Sequence, residues 1–256
     1  MNIVSIVSCT GLLLIGSAFI DCSAQNNLRK KDAPTDTIRL EESNNNLVLQ
    51  IDFIKGKAHN HPTFAIWLED MDQAYIRTLF VTKSVATGIY GHGSIQKEVW
   101  DNKPGPQNRP ATLPYWLHKR SSALNLPLLP DSVHPVLDGY TGATPTGNFV
   151  IRTGYPKPLP RKFRLLMEMN QTWDWNGYWT NSLYDDPDYR TSSQPSLIYA
   201  VFIDLDRPEP EYFLNPIGHG HHAGTDGSLN TDLRTMTTAL QIIDHVSVKL
   251  IKIAHE

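Results

Sequence analysis

The chain has 256 residues, 40% of them hydrophobic, and a formal net charge of −3; this is enough apolar material for one sizeable core. Acidic and basic residues are interspersed, which excludes the basic footprint of a nucleic-acid binder and a polybasic patch for anionic lipid.

From Ile3 to Ile20 the chain is apolar or small, and Cys22-Ser23-Ala24 before Gln25 is a pattern that a signal peptidase can cut. Residues 1–24 therefore read as a signal peptide, and the mature protein as periplasmic or otherwise extracytoplasmic. An uncleaved anchor is the competing reading, because no Lys or Arg precedes the apolar run. A lipid anchor at Cys22 fits less well, since Phe19-Ile20-Asp21 lacks the small residues of such a site. Both cysteines, Cys9 and Cys22, fall inside the leader, so the mature chain is expected to hold neither disulfides nor thiolate metal sites.

Residues 25–46 are polar, with Arg29-Lys30-Lys31 and Asn44-Asn45-Asn46, and read as a flexible tether to a single domain over 47–256. Leu47, Leu49, Ile51 and Phe53 repeat at the two-residue period of a strand, as do Phe64, Ile66 and Leu68. A β-branched run from Ile76 to Val81 follows the turn at Asp70-Met71-Asp72. Gly88 to Ser132 contains six prolines and predicts a long irregular insertion, with a short helix near Tyr115–Arg120. Strand patterning returns at Phe149–Arg152, at Phe163–Met169, at Ile198–Ile203 and at Val246–Ile253. Leu233, Met236, Leu240 and Ile243 have helical spacing, although Thr235, Thr237 and Thr238 dilute it. The sum is an all-β, immunoglobulin-like β-sandwich with that insertion and one short C-terminal helix.

The commonest catalytic signatures are missing: there is no phosphate-binding G-x-x-x-x-G-K-[ST], no G-x-G-x-x-G after a strand, no G-x-S-x-G and no H-E-x-x-H. No independent catalytic activity is expected. Asp138-Gly139-Tyr140-Thr141-Gly142-Ala143-Thr144-Pro145 predicts a turn-rich exposed loop with an available hydroxyl at Thr144. It resembles the acceptor motif Asp-x-x-Ser/Thr-Gly-Ala-Ser/Thr, at which periplasmic flavin transferases attach flavin mononucleotide (FMN) through a phosphoester. Every motif position is matched, with Asp138, Thr141, Gly142 and Ala143 framing Thr144. The resemblance implies a covalent FMN at Thr144, a flavin transferase and membrane redox proteins as partners, and a role in electron transfer. A plain turn entering the strand at Phe149, closed by Asp138, is the competing reading.

Gly218-His219-Gly220-His221-His222 to Asp226 offers a second candidate. His219 and His221 share one side of an extended segment, and His222 with Asp226 could complete a set for a divalent transition metal, with His59, His61 and His92 as distant contributors. Its glycines equally fit a mobile turn. Such a site would suit a non-enzymatic binding or accessory module. Trp173-Asp174-Trp175-Asn176-Gly177-Tyr178-Trp179 could stack on an isoalloxazine or a sugar ring, or pack a sandwich corner. Packing is the favoured reading there. Asp185-Asp186 and Asp204-Asp206 read as solvated turn residues.

Phe64-Ala65-Ile66-Trp67-Leu68-Glu69-Asp70, the Asp138–Pro145 stretch, Thr172-Trp173-Asp174 and the run from Pro216-Ile217-Gly218-His219 to Leu240 together resemble the predicted periplasmic domain-of-unknown-function family two-two-seven-one. The resemblance covers most of the chain beyond residue 47. It implies export and a strand-rich domain found in the company of membrane redox proteins and flavin transferases, and no established reaction. Trp175-Asn176-Gly177-Tyr178-Trp179 departs from the longer glycine-rich turn of that family, so no role is carried over to it.

Overall fold

The computed structural model describes residues 36–40, 47–96, 99–154 and 159–252. The leader, and residues 25–35 and 41–46 of the tether, lie outside them. Ala33–Glu256 forms one compact unit.

The strands are Asp36–Arg39 (β1), Leu47–Lys55 (β2), Thr63–Glu69 (β3), Tyr75–Thr82 (β4), Ile89–Tyr90 (β5), Ser94–Gln96 (β6), Val99–Trp100 (β7), Gly105–Pro106 (β8), Tyr140–Gly142 (β9), Phe149–Gly154 (β10), Lys162–Asn170 (β11), Leu197–Asp204 (β12), Tyr212–Phe213 (β13), Asn215–His219 (β14) and Ile243–Lys252 (β15). Among the described residues the two large sheets have the orders β1-β10-β2-β15-β13 and β14-β12-β11-β3-β4-β9, and β5-β8 and β6-β7 form two-stranded ribbons. The two sheets form an all-β sandwich of the immunoglobulin-like kind in its layers, with its own strand order. Asp36–Arg39, expected within the tether, instead adds a strand parallel to β10, pairing Asp36 with Phe149 and Arg39 with Arg152.

Alternation explains the inner core. Leu49, Ile51 and Phe53 of β2 face Phe64, Ile66 and Leu68 of β3, together with Phe149, Ile151, Phe163, Leu165, Met167 and Met169. Phe53 stacks on Phe149 with ring centroids 4.5 Å apart, and Phe64 on Phe80 at 5.0 Å. Each such ring contributes about 1.5–3 kcal/mol by leaving water.

The second sheet is covered on its outer face too. Ala65, Trp67, Val81, Leu166 and Ile198 point away from the inner core and pack with Leu113, Tyr115, Trp116 and Leu117 of the proline-rich insertion and with Val85 and Val136 on either side of it. The helix Lys83–Thr87 (α1) precedes the insertion and Pro114–Leu124 (α2) lies within it. Proline fits the first turn of α2, whose free N–H groups have no intrahelical partner, and Asn125 closes the helix in the left-handed region at φ 52°. The N-terminal residue Leu113 supplies no side-chain cap. The carboxylate of Glu168 on β11 takes that place, accepting from Tyr115 N at 3.1 Å and Trp116 N at 2.6 Å, and from Ser196 Oγ at 2.5 Å. Burial is the leading cause that pushes the Glu168 carboxyl up, to about 7, against the lowering effect of these three donors.

The C-terminal helix is reduced to a 3-10 turn, Ala239–Gln241. Threonine hydroxyls are committed elsewhere in this segment: Thr238 Oγ1 donates to Asp174 Oδ1 at 2.7 Å and Thr235 Oγ1 accepts from Trp179 Nε1 at 2.9 Å. Met236 and Ala239 still reach the core. Among the described residues no helix is long and apolar enough to cross a membrane.

Candidate functional site

The Asp138–Pro145 stretch is not a free loop. Tyr140–Gly142 is the outermost strand of the second sheet, parallel to β4, with Tyr140 opposite Phe80 and Gly142 opposite Thr82. A turn-rich composition hides such a strand because it pairs on one side only, over three residues. Two of the motif's glycines have packing reasons: a Cβ at Gly139 would meet Thr78 Cγ2 at 2.6 Å, and one at Gly142 would meet the Phe80 ring at 3.1 Å.

Asp138 anchors the entry to the strand. Its Oδ1 accepts from Arg120 Nε at 2.7 Å and its Oδ2 from the Tyr75 hydroxyl. The Arg120 side chain is almost fully buried on α2, so the carboxylate neutralises a charge that water hardly reaches. Burial, and then Asp138 itself, raise the Tyr75 phenol far above its ordinary range, which keeps it a proton donor. These partners are 18 and 63 residues from Asp138 in sequence. Only Asp138 itself was visible as an anchor.

At the far end of β9, Thr144 is half-buried, between the exposed Ala143 and the buried Pro145. Its hydroxyl donates to the Pro62 carbonyl at 2.8 Å and lies 3.3 Å from Thr82 Oγ1. His59 Nε2 meets the Pro145 carbonyl at 3.3 Å. Desolvation is the main cause that lowers the pKa of His59; Nε2 donates to that carbonyl, and the buried Nδ1 has no hydrogen-bond partner among the described residues. Beside Gly139 and Tyr140 a groove of about 150 Å³ opens against Leu40, Arg77 and Leu79.

The fit to a covalent flavin at Thr144 is mixed: Ala143 beside it is small and exposed, but the Thr144 hydroxyl is held by the Pro62 carbonyl and Thr82 Oγ1, both on buried residues. Thr141 and Gly142 lie on β9, opposite Val81 and Thr82.

The histidine segment runs from the end of β14 into a turn. His219 ends β14 and is buried, its Nδ1 2.8 Å from the Gly220 carbonyl and its ring edge-on to Trp179. His221 Nδ1 accepts from Ala223 N at 3.1 Å. His222 is stacked between His221, at 4.3 Å, and Tyr184, at 4.0 Å, and desolvation lowers its pKa. Asp226 accepts from Ser228 N at 2.9 Å, and that capping, with the Ser228 side chain first, holds its carboxyl below the usual range. Among the described residues no group of three or more His, Cys, Asp or Glu side chains is placed to hold a metal ion. Adjacent residues such as His221 and His222 stack here because the chain turns between them, which alternation along an extended strand does not anticipate.

Comparison with family models, curated proteins and solved structures gives no match.

The aromatic cluster separates into a packed ring and exposed ones. Trp179 lies against the inner core and against Tyr184 and Tyr189. Trp173, Trp175 and Tyr178 are exposed, contrary to the packing favoured for the whole cluster. Asn176 braces their turn: its Oδ1 accepts from Tyr178 N and Trp179 N at 2.8 Å, and its Nδ2 donates to Gln194 Oε1 and Thr235 O at 2.8 Å and to Thr237 Oγ1 at 2.9 Å. The long-range half of this brace carried no sequence signal, because the acceptors of Asn176 Nδ2 lie 18 to 61 residues away. The paired acids behave as turn residues: Asp185 meets Arg190, and Asp204 Oδ1 accepts from Asp206 N.

Proposed function

We propose that the mature chain is an extracytoplasmic, flavin-linked electron carrier with FMN attached covalently at Thr144, and with no catalytic machinery of its own. What supports this reading is the complete match to the acceptor motif in a held backbone: Asp138 is bonded by Arg120 and Tyr75, β9 pairs along the sheet edge, and exposed Ala143 precedes the half-buried Thr144. A modifying enzyme needs a hydroxyl that leaves its resting hydrogen bonds at small cost. The bonds of Thr144 to Pro62 and Thr82 are neutral, worth about 1 kcal/mol each.

When bound, the flavin supplies one- and two-electron chemistry. The chain's part is to hold the attachment point still and to offer a surface for the ring. Covalent attachment suits an exported carrier, because a diffusible cofactor would be lost outside the cytoplasm. A flavin transferase and membrane redox proteins are the partners that this reading requires.

Co-expression with an extracytoplasmic flavin transferase tests it. The expected product is yellow and fluorescent after denaturation and gel separation, Thr144→Ser keeps the signal and Thr144→Ala loses it. A colourless wild-type protein, made alongside an authentic acceptor that is modified, contradicts the reading.

A further inference from the structure

The segment from Trp173 to Gln194 is held in a costly conformation that presents aromatic rings to water. Trp173 and Ser193 both lie in the left-handed region, at φ 63° and 59°, where a side chain costs about 1–3 kcal/mol. Trp173 precedes, and Ser193 forms one side of, the bridge between Asp174 and Ser193. Asp174 Oδ2 and Ser193 Oγ are buried there without a hydrogen-bond partner, and burial raises the Asp174 carboxyl above its ordinary value. Strain and unsatisfied polar atoms concentrated in one turn point to function rather than to folding.

That turn exposes Trp173 by 49%, Trp175 by 56% and Tyr178 by 59%. Trp173 and Trp175 meet edge to face, 6.2 Å apart at 75°. Both are pre-set by the backbone: Trp173 N donates to Thr191 O at 3.0 Å, and Asn176 ties the turn to Gln194, Thr235 and Thr237. One residue before Thr191, Arg190 lines an open pocket of about 300 Å³ with Asn181, Ser182, Tyr184 and Asp185.

We propose that this face binds a neutral glycan. A pyranose presents flat patches of C–H groups rimmed by hydroxyls. The exposed rings match the patches, and the amide, hydroxyl, carboxylate and guanidinium groups of the pocket match the rim. The neutral class follows from charge: Asp185 Oδ1 and Arg190 Nη2 are 3.1 Å apart and offset each other. A protein partner would ask for a contiguous apolar patch, whereas the pocket is lined by the polar side chains of Asn181, Ser182, Asp185 and Arg190 together with Tyr184. The site is independent of any flavin at Thr144.

The test is affinity electrophoresis of the mature chain through native gels containing xylan, laminarin, dextran or hydroxyethylcellulose, with pull-down on insoluble cellulose and chitin. Retention by at least one polysaccharide is expected, weakened about tenfold or more in Trp175→Ala and again in Tyr178→Ala. The same polysaccharide should perturb the tryptophan absorption of the wild type. Both variants alter exposed side chains, and unfolding midpoints equal to the wild type's exclude a folding defect. Three results overturn the proposal: no retention by any of the six polysaccharides, retention unchanged in the Trp175→Ala/Tyr178→Ala double variant, or loss in the variants of binding to free FMN or an apolar peptide when no polysaccharide binds.

Discussion

Asp138–Thr144 and Trp173–Trp179 are built by the same device and present opposite chemistry. In each, a polar side chain reaches across the fold: Asp138 to Arg120 and Tyr75, Asn176 to Gln194, Thr235 and Thr237. In each, the locked backbone then shows a few side chains at its surface. The first shows a small methyl and a half-buried hydroxyl, fit for modification; the second shows large rings, fit for stacking. Rigidity therefore comes from a half-buried polar anchor in both regions, and the exposed residue types decide what each can do.

The anchors differ in what is lost when they fail, which orders the ways to break the comparison. The largest effect is expected at Glu168, which fixes the start of the helix that carries Arg120. Glu168→Ala leaves Tyr115 N, Trp116 N and Ser196 Oγ without their acceptor and should cost about 3–5 kcal/mol in urea unfolding. Glu168 also predicts a pH dependence. Its folded pKa of about 7 exceeds the unfolded value of about 4.3, so between these two values the folded chain binds more protons than the unfolded one. Its contribution to stability is therefore greatest below that window, falls as pH rises through it and is flat above. Unfolding midpoints at pH 5 and pH 8 should differ more in the wild type than in Glu168→Gln.

Asp138→Ala comes next. It strands a buried guanidinium, at about 2–4 kcal/mol, and should also reduce modification of Thr144 because β9 loses its entry anchor. Asn176→Ala should cost about 1–3 kcal/mol and leave Thr144 unaffected. A drop in Thr144 modification in Asn176→Ala equal to that in Asp138→Ala would show that the two anchors are not independent. Thr238→Val is the smallest, about 1 kcal/mol, through the lost bond to Asp174.

The sandwich strands were legible because one face of each is buried and the two-residue period survives in sequence: Leu47–Lys55, Thr63–Glu69 and Lys162–Asn170 lie within a residue or two of the expected runs. Three elements were not. β1 is polar, since it adds to a sheet edge rather than filling the core. The helix expected from Leu233 to Ile243 lost to threonine hydroxyls that bond Asp174, Asn176 and Trp179, contacts set by the fold rather than by local propensity. β9 was masked by glycines whose reason, close approach to Thr78 and Phe80, exists only once the sheet is assembled. The acceptor stretch itself was readable as a motif, whereas its anchors and the strained bridge under Trp173 join residues too distant in sequence to be paired by eye.

The central claim is the modification of Thr144, and intact-mass measurement of the mature protein from its native envelope tests it most directly. The account predicts a mass above that of the leader-cleaved chain by one FMN less one water, mapped by fragmentation to Thr144 and gone in Thr144→Ala. An unmodified mass, from cells whose transferase demonstrably flavinylates another acceptor, would contradict it.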